Sequence, residues 1–281
     1  MGLILYSLIG LVFLLPSDFL WEGRFYWHMA ALGAVAGIPV LYLIYRKTLP
    51  FPALFARSGR EMTPLSFTLI LIVFFSVQML NSLLDIGLEY VLNALGLSMQ
   101  ESLSYATASA TTPVMLLYSA LIAPVTEELV YRGFCLRLTQ RFGEVFAILF
   151  SALVFAVMHE NLPQALFAFM AGLVFGYVTL RYSLHWAILL HIINNFVLGD
   201  FAETLCAFLP AYERTLLYYL FFGMMLLAAV PALLSARQEI SSYVRANRSE
   251  KGTWRLALTA VLVITLLLMH LIPAVLMLEI L

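Results

Sequence analysis

Three short stretches place ionisable and amide side chains inside otherwise apolar sequence. They are Ala123-Pro124-Val125-Thr126-Glu127-Glu128-Leu129-Val130-Tyr131-Arg132-Gly133, Phe155-Ala156-Val157-Met158-His159 and His191-Ile192-Ile193-Asn194-Asn195. A charge at the centre of a membrane helix costs roughly 2.5–3.5 kcal/mol on insertion scales, so such residues are rare and are functional candidates. On a helix, positions four apart share a face, whereas neighbours diverge by about 100°. Glu128 and Arg132 are therefore expected to pair, which leaves Glu127 on a different face and free to act. His191 and Asn195 project together, and Phe155 packs one turn before His159.

The chemistry this set could do is hydrolysis of a peptide bond. That reaction needs an activated water and hydrogen bonds to the oxyanion of the tetrahedral intermediate. Glu127 in a low-dielectric site suits a general base, with His159 positioning or polarising the water. His191 and the Asn195 amide offer hydrogen bonds to the oxyanion. Glu127, His159 and His191 also permit a zinc reading, since two histidines and a glutamate match a common catalytic set with one position left for water. No His-Glu-x-x-His helix is present, so a standard zincin is not expected, and the residues by themselves leave the choice open.

Taken one by one, several residues read as ordinary. Glu128 with Arg132 is a structural ion pair, and either histidine alone would be a helix-to-helix hydrogen bond; only together with Glu127 do they favour a site. Cys135 has no histidine at helical spacing, and Cys135 and Cys206 lack metal-ligand spacing. His28, His185 and His270 are assigned no role. Gly172 and Gly176 read as a pair that lets helices approach closely.

The elements that carry these residues must be membrane helices. The chain has 281 residues, 63% hydrophobic and 11% charged, against about a quarter charged and under half apolar in soluble domains. A net charge of −1 excludes the basic surface that nucleic acid would need. Apolar stretches at 3–16, 25–45, 65–95, 112–131, 145–160, 163–180, 185–199, 215–235 and 256–277 predict eight or nine spans. They must be helical, because lipid offers no partner to open backbone groups. The first lacks the basic start and small-residue cleavage site of a signal peptide, and reads as a short first span.

Arg46, Lys47, Arg57 and Arg60 concentrate charge in one loop, and Arg237, Arg245, Arg248, Lys251 and Arg255 in another. Both are expected in the cytoplasm with the N-terminus. The acidic connections holding Asp18, Glu22, Asp200, Glu203 and Glu213 then fall outside, and Asp85 and Glu89 approach the outer water. Glu127 and His159 each lie 16 residues from Gly143, so unbroken antiparallel helices bring them to one depth, about 24 Å from the turn. His191, only eight residues after Ser183, needs a shifted or tilted helix to join them.

The motifs Glu127-Glu128-x-x-x-Arg132, Phe155-x-x-x-His159 and His191-x-x-x-Asn195 resemble those of the CPBP family of intramembrane peptidases. That family includes CAAX prenyl endopeptidases and bacterial Abi relatives linked to bacteriocin processing or self-immunity. The resemblance covers roughly 110–200 and implies that Glu127 and His159 activate water, that His191 and Asn195 stabilise the oxyanion, and that Glu128 and Arg132, with Phe155, support the site. Both metal-dependent and metal-free glutamate mechanisms are implied by the family. No cofactor is favoured here, because Asn195 suits an oxyanion donor better than a metal ligand, with Zn2+ as the alternative.

The expectation is thus an all-α, polytopic transmembrane helical bundle of eight or nine spans, with N-terminal spans over 1–109, a catalytic core over 110–200 and C-terminal spans over 201–281. As an intramembrane endopeptidase it would act on a membrane-associated or exported protein or peptide, in the lipid bilayer, the inner membrane if bacterial. An ion-coupled transporter and an idle scaffold or immunity protein are the rival readings. The inferred orientation puts the cluster toward the outer half of the membrane. Prenyl-protein processing would want a cytoplasmic mouth, so either that orientation is off by one span or the substrate is exported or membrane-anchored.

Overall fold

A computed structural model describes residues 1–21, 25–57, 60–106 and 112–281. Glu22 and the expected 109/110 boundary lie outside them, as do the side chains of Asp18, Asp200 and Glu203. In chain order the helices are α1 (Gly2–Trp21), α2 (Tyr26–Tyr45), the short α3 (Phe51–Leu54), α4 (Pro64–Ala94), α5 (Gln100–Ala106) and α6 (Pro113–Phe142). There follow α7 (Glu144–Val157), α8 (Leu162–Arg181), α9 (Leu184–Cys206), α10 (Ala211–Ala246), α11 (Thr253–Thr259) and α12 (Val261–Leu276). Among the described residues, the one departure from an all-α fold is a two-residue antiparallel ladder, β1 (Leu97–Ser98) with β2 (Glu279–Ile280), pairing Leu97 with Ile280 and Ser98 with Glu279.

Local sequence starts the long helices. Thr63, Thr112 and Asn161 each accept a hydrogen bond from the backbone N–H three residues on, at 3.1 Å, and a proline occupies the first or second helical position after each. Such caps satisfy donors that no carbonyl within the helix reaches, and proline has no N–H to leave unpaired there.

Among the described residues, six helices are long and apolar enough to cross a membrane, α2, α4, α6, α8, α9 and α10. A seventh arises if α11 and α12, bent by 62° at Ala260, count as one span. The expected eight or nine is not reached by this measure, because Gly2–Leu15 and Glu144–Val157 are apolar but short. Burial separates inner from outer helices: 44% of the α8 span and 39% of the α6 span are buried inside the protein, against 11% for α10. Leucines left open on α10, such as Leu216, Leu220 and Leu227, face what must be lipid, which the composition already required.

Two apolar clusters hold the inner helices together. Val130, Tyr131 and Phe134 of α6 pack with Phe146, Phe150, Val154 and Phe155 of α7, closed by Leu41, Leu54 and Leu266. Phe74 of α4 packs with Ala171, Phe175 and Val178 of α8 and Ala187 and Leu190 of α9. Gly172 and Gly176 let α8 approach closely: a Cβ at Gly172 would stand 3.0 Å from the Ala152 Cβ, and one at Gly176 3.2 Å from Leu136 and 3.3 Å from Ile148.

The structure also answers how His191 reaches the depth of the other residues. The turn between α8 and α9 is sunk into the bundle, with Tyr182, Ser183 and Leu184 all buried. Leu184 packs over Gly133, where a Cβ would lie 3.6 Å from its methyl group. The helix therefore sets out level with Gly133, one turn and a half below Glu127, instead of level with Gly143. Asp85 departs from expectation in another way, being buried and bonded to the Asn81 amide at 2.7 Å.

Candidate active site

The Glu-bearing helix α6 is not a regular α-helix. It widens to a π-helix at Tyr118–Ile122 and again at Leu129–Leu136, on either side of the α-helical turn Ala123–Glu128. Wide turns of this kind gather at functional sites, because they rotate the following side chains out of α register. The adjacent carboxylates diverge as expected. Glu128 is fully buried, and its Oε1 accepts from Arg132 NH1 at 2.9 Å. The Glu127 side chain is 27% exposed.

Arg132 is fully buried as well, with its guanidinium 4.1 Å from the centre of the Phe155 ring and 5.2 Å from that of Phe175. Two aromatic faces and one carboxylate hold the desolvated guanidinium, whose Nε and second terminal nitrogen have no hydrogen-bond partner among the described residues. Gly172 supplies the space, since a Cβ there would come within 2.9 Å of Arg132 NH2. Phe155 thus does more than precede His159, to which it also presents its ring edge-on at 4.7 Å.

His191 joins the two carboxylates. Its Nδ1 lies 3.0 Å from Glu128 Oε1 and its Nε2 3.7 Å from Glu127 Oε2, while its ring stacks on Phe175 at 5.1 Å. Because a carboxylate only accepts, Nδ1 carries a proton. His159 sits two residues beyond the end of α7, half-buried, with Nδ1 2.9 Å from the Phe155 carbonyl and Nε2 left as an acceptor. Glu127, His159 and His191 are close enough to interact electrostatically.

Asn195 is placed differently from the simple helical expectation. Over Ile193–Phe201 α9 is a π-helix, and the wider turn carries Asn195 toward α6, where its amide donates to the Ser119 carbonyl at 2.9 Å. Its Oδ1 accepts from Asn194 Nδ2 at 3.0 Å, and Asn194 Oδ1 accepts from Gln78 Nε2 at 2.9 Å. This chain of amides fixes which way each one points and leaves one Asn195 N–H to offer.

Gln78, Phe175 and Tyr6 were missed from sequence, whereas Gly172 was read only as a helix-packing position. Tyr6 of α1, half-buried, packs against Gly37, interacts with the Thr126 side chain and lies near Glu127. Gln78 carried the same signal as the other polar residues, an amide in an apolar run, but without a motif beside it. Phe175 and Tyr6 gave none, since aromatic residues are common throughout the chain.

Among the described residues no group of three His, Cys, Asp or Glu side chains is arranged to hold a metal ion. Glu127, His159 and His191 are therefore not a formed ligand set as they stand, and no step of the proposed reaction passes through a metal. No curated protein and no solved structure matches the chain. Residues 109–197, which hold all three polar stretches, match the family described as Type II CAAX prenyl endopeptidase Rce1-like.

Proposed function

We propose that this protein is an intramembrane endopeptidase that hydrolyses a peptide bond of a membrane-associated or exported protein through a water activated by Glu127 and His159. The observation that carries the reading is the division between neighbouring carboxylates: Glu128 is sealed in an ion pair, while Glu127 is partly exposed beside two histidines. Glu127 takes a proton from the water, with His159 Nε2 accepting the water's other hydrogen bond. The hydroxide attacks the carbonyl carbon. His191, as imidazolium, donates from Nδ1 to Glu128 and from Nε2 to the oxyanion, and Asn195 adds its remaining N–H. Glu127 then returns the proton to the leaving amine.

If the shorter apolar stretches Gly2–Leu15 and Glu144–Val157 and the bent α11–α12 pair each cross the membrane, the spans number nine. With basic loops in the cytoplasm, that number opens the site toward the outer half of the membrane, which suits exported or membrane-anchored substrates better than prenyl-proteins. In this reading 1–109 and 201–281 supply flanking spans to a catalytic core at 110–200.

The test is a cleavage assay on purified full-length protein with two fluorogenic peptides, one a prenylated CAAX sequence and one an unprenylated membrane-anchored sequence, each with and without chelator. Glu127→Ala and His159→Ala are expected to abolish cleavage while leaving the protein folded and inserted. Near wild-type rates in either variant refute the mechanism. Activity lost to chelator and restored by zinc, with metal found by elemental analysis, would replace it by the metal-dependent one.

A further inference from the structure

His270 lies in α12, far in sequence from the three polar stretches and outside the matched residues, yet it is buried beside the loop that carries His159. Its Nδ1 is 2.6 Å from Glu160 Oε1, and its Nε2 is 3.2 Å from Ser7 Oγ of α1. The same Ser7 oxygen lies 3.8 Å from the Met158 sulfur. The residues immediately before and after His159 are thus each held from outside the catalytic core.

Glu160 adds a second, independent observation. Among the described residues it is the non-glycine residue with positive φ, at +52°, a left-handed conformation that favours glycine. A side chain that keeps such a backbone at a site of chemistry needs something to hold it there. The carboxylate-to-imidazole bond does so, and Asn161, next in sequence, donates to the Ser102 carbonyl at 2.8 Å while capping α8.

We infer that His270 and Glu160 form a latch that positions the catalytic histidine: α12 grips Glu160, and the strained turn this enforces sets where His159 points. Both are positioning residues, acting on the reaction only through His159. The inference rests on the assignment of His159 to water activation, and it explains why a lone histidine would be kept in an apolar C-terminal helix.

The experiment compares two disruptive variants, Glu160→Gly and His270→Phe, with two that keep the bond, Glu160→Gln and His270→Asn, whose amide stands where Nδ1 stood. Each is measured by kcat and KM on the cleaved fluorogenic peptide and by NMR of the His159 imidazole in histidine-labelled protein. With five histidines in the chain, that resonance is assignable by substitution. The disruptive variants are expected to lose about ten- to hundredfold in kcat with KM little changed, and to shift or broaden the His159 resonance. The conservative variants stay within a few-fold of wild type with the resonance in place. Glu160→Gly is the critical variant, because it relieves the left-handed turn while removing the grip. Wild-type kcat with an unmoved resonance in Glu160→Gly and His270→Phe would overturn the latch. If the wild-type protein cleaves neither peptide, the peptidase reading fails by itself, and the His159 resonance alone decides the latch.

Discussion

Glu127 and Glu128 are chemically identical and adjacent, and what separates them is only the direction each takes from the helix. Glu128 is enclosed with Arg132, His191 and two aromatic rings, whereas Glu127 is left partly open beside His159 and His191. Removing one partner of a fully buried pair leaves a charge without compensation, which costs about 3–5 kcal/mol. Arg132→Ala is accordingly expected to lower thermal stability in detergent by that amount. Arg132→Lys should fail to restore it, since an ammonium cannot lie flat between Phe155 and Phe175 while bonding to Glu128. Wild-type unfolding temperature in the lysine variant would show that the rings contribute nothing.

The helices position these residues through irregularities more than through regular geometry. Two π segments in α6 and one in α9 turn Arg132 and Asn195 to where they are needed, and a sunken turn lets His191 reach the carboxylates within nine residues of the start of α9. Glycine makes the closest approaches possible. At Gly172, α8 lies against Ala152 and the Arg132 guanidinium with no room for a side chain. Gly172→Val is expected to cost about 1–3 kcal/mol by overpacking, and to reduce kcat as well, because the displaced guanidinium carries Glu128 and His191 with it. Paired measurements of unfolding and of cleavage check this; loss of stability with full activity would mean that the shift stops at α7.

At the scale of the whole molecule, contacts far apart in sequence gather at two ends. At one end Arg137 donates to the Ala56 carbonyl, Tyr243 to Glu144, and Val145 N–H to the Asn247 carbonyl, which brings both basic loops and the Gly143 turn together. At the other, the β1–β2 ladder, Ser102 donating to the Met277 carbonyl, and Asn161 donating to Ser102 tie the C-terminus to the loop bearing His159. One end is thus rich in cations and the other is not. In a cysteine-free background, Ser249→Cys should react with impermeant reagent only from the cytoplasmic side, and Gln100→Cys only from the outer side. Labelling with the sides exchanged would reverse the orientation and give the site a mouth toward the cytoplasm.

The membrane character, the helical class and the residues Glu127, Glu128, Arg132, His159, His191 and Asn195 were all legible in the linear sequence, because charge inside apolar sequence is expensive and spacing on a helix repeats. The pairing of Glu128 with Arg132 followed from the same periodicity. The sequence did not determine the span count: the apolar stretches Gly2–Leu15 and Glu144–Val157 are shorter than a full crossing. Nor did it determine the level of His191, since where a helix begins within a bundle depends on which neighbour has a glycine for its first side chain to rest on. The placing of Asn195 against Ser119, the approach of Tyr6 and Gln78, and the grip of His270 on Glu160 were likewise decided only by the tertiary structure. Each joins residues on different helices, and no regularity along one helix records which others will pack against it.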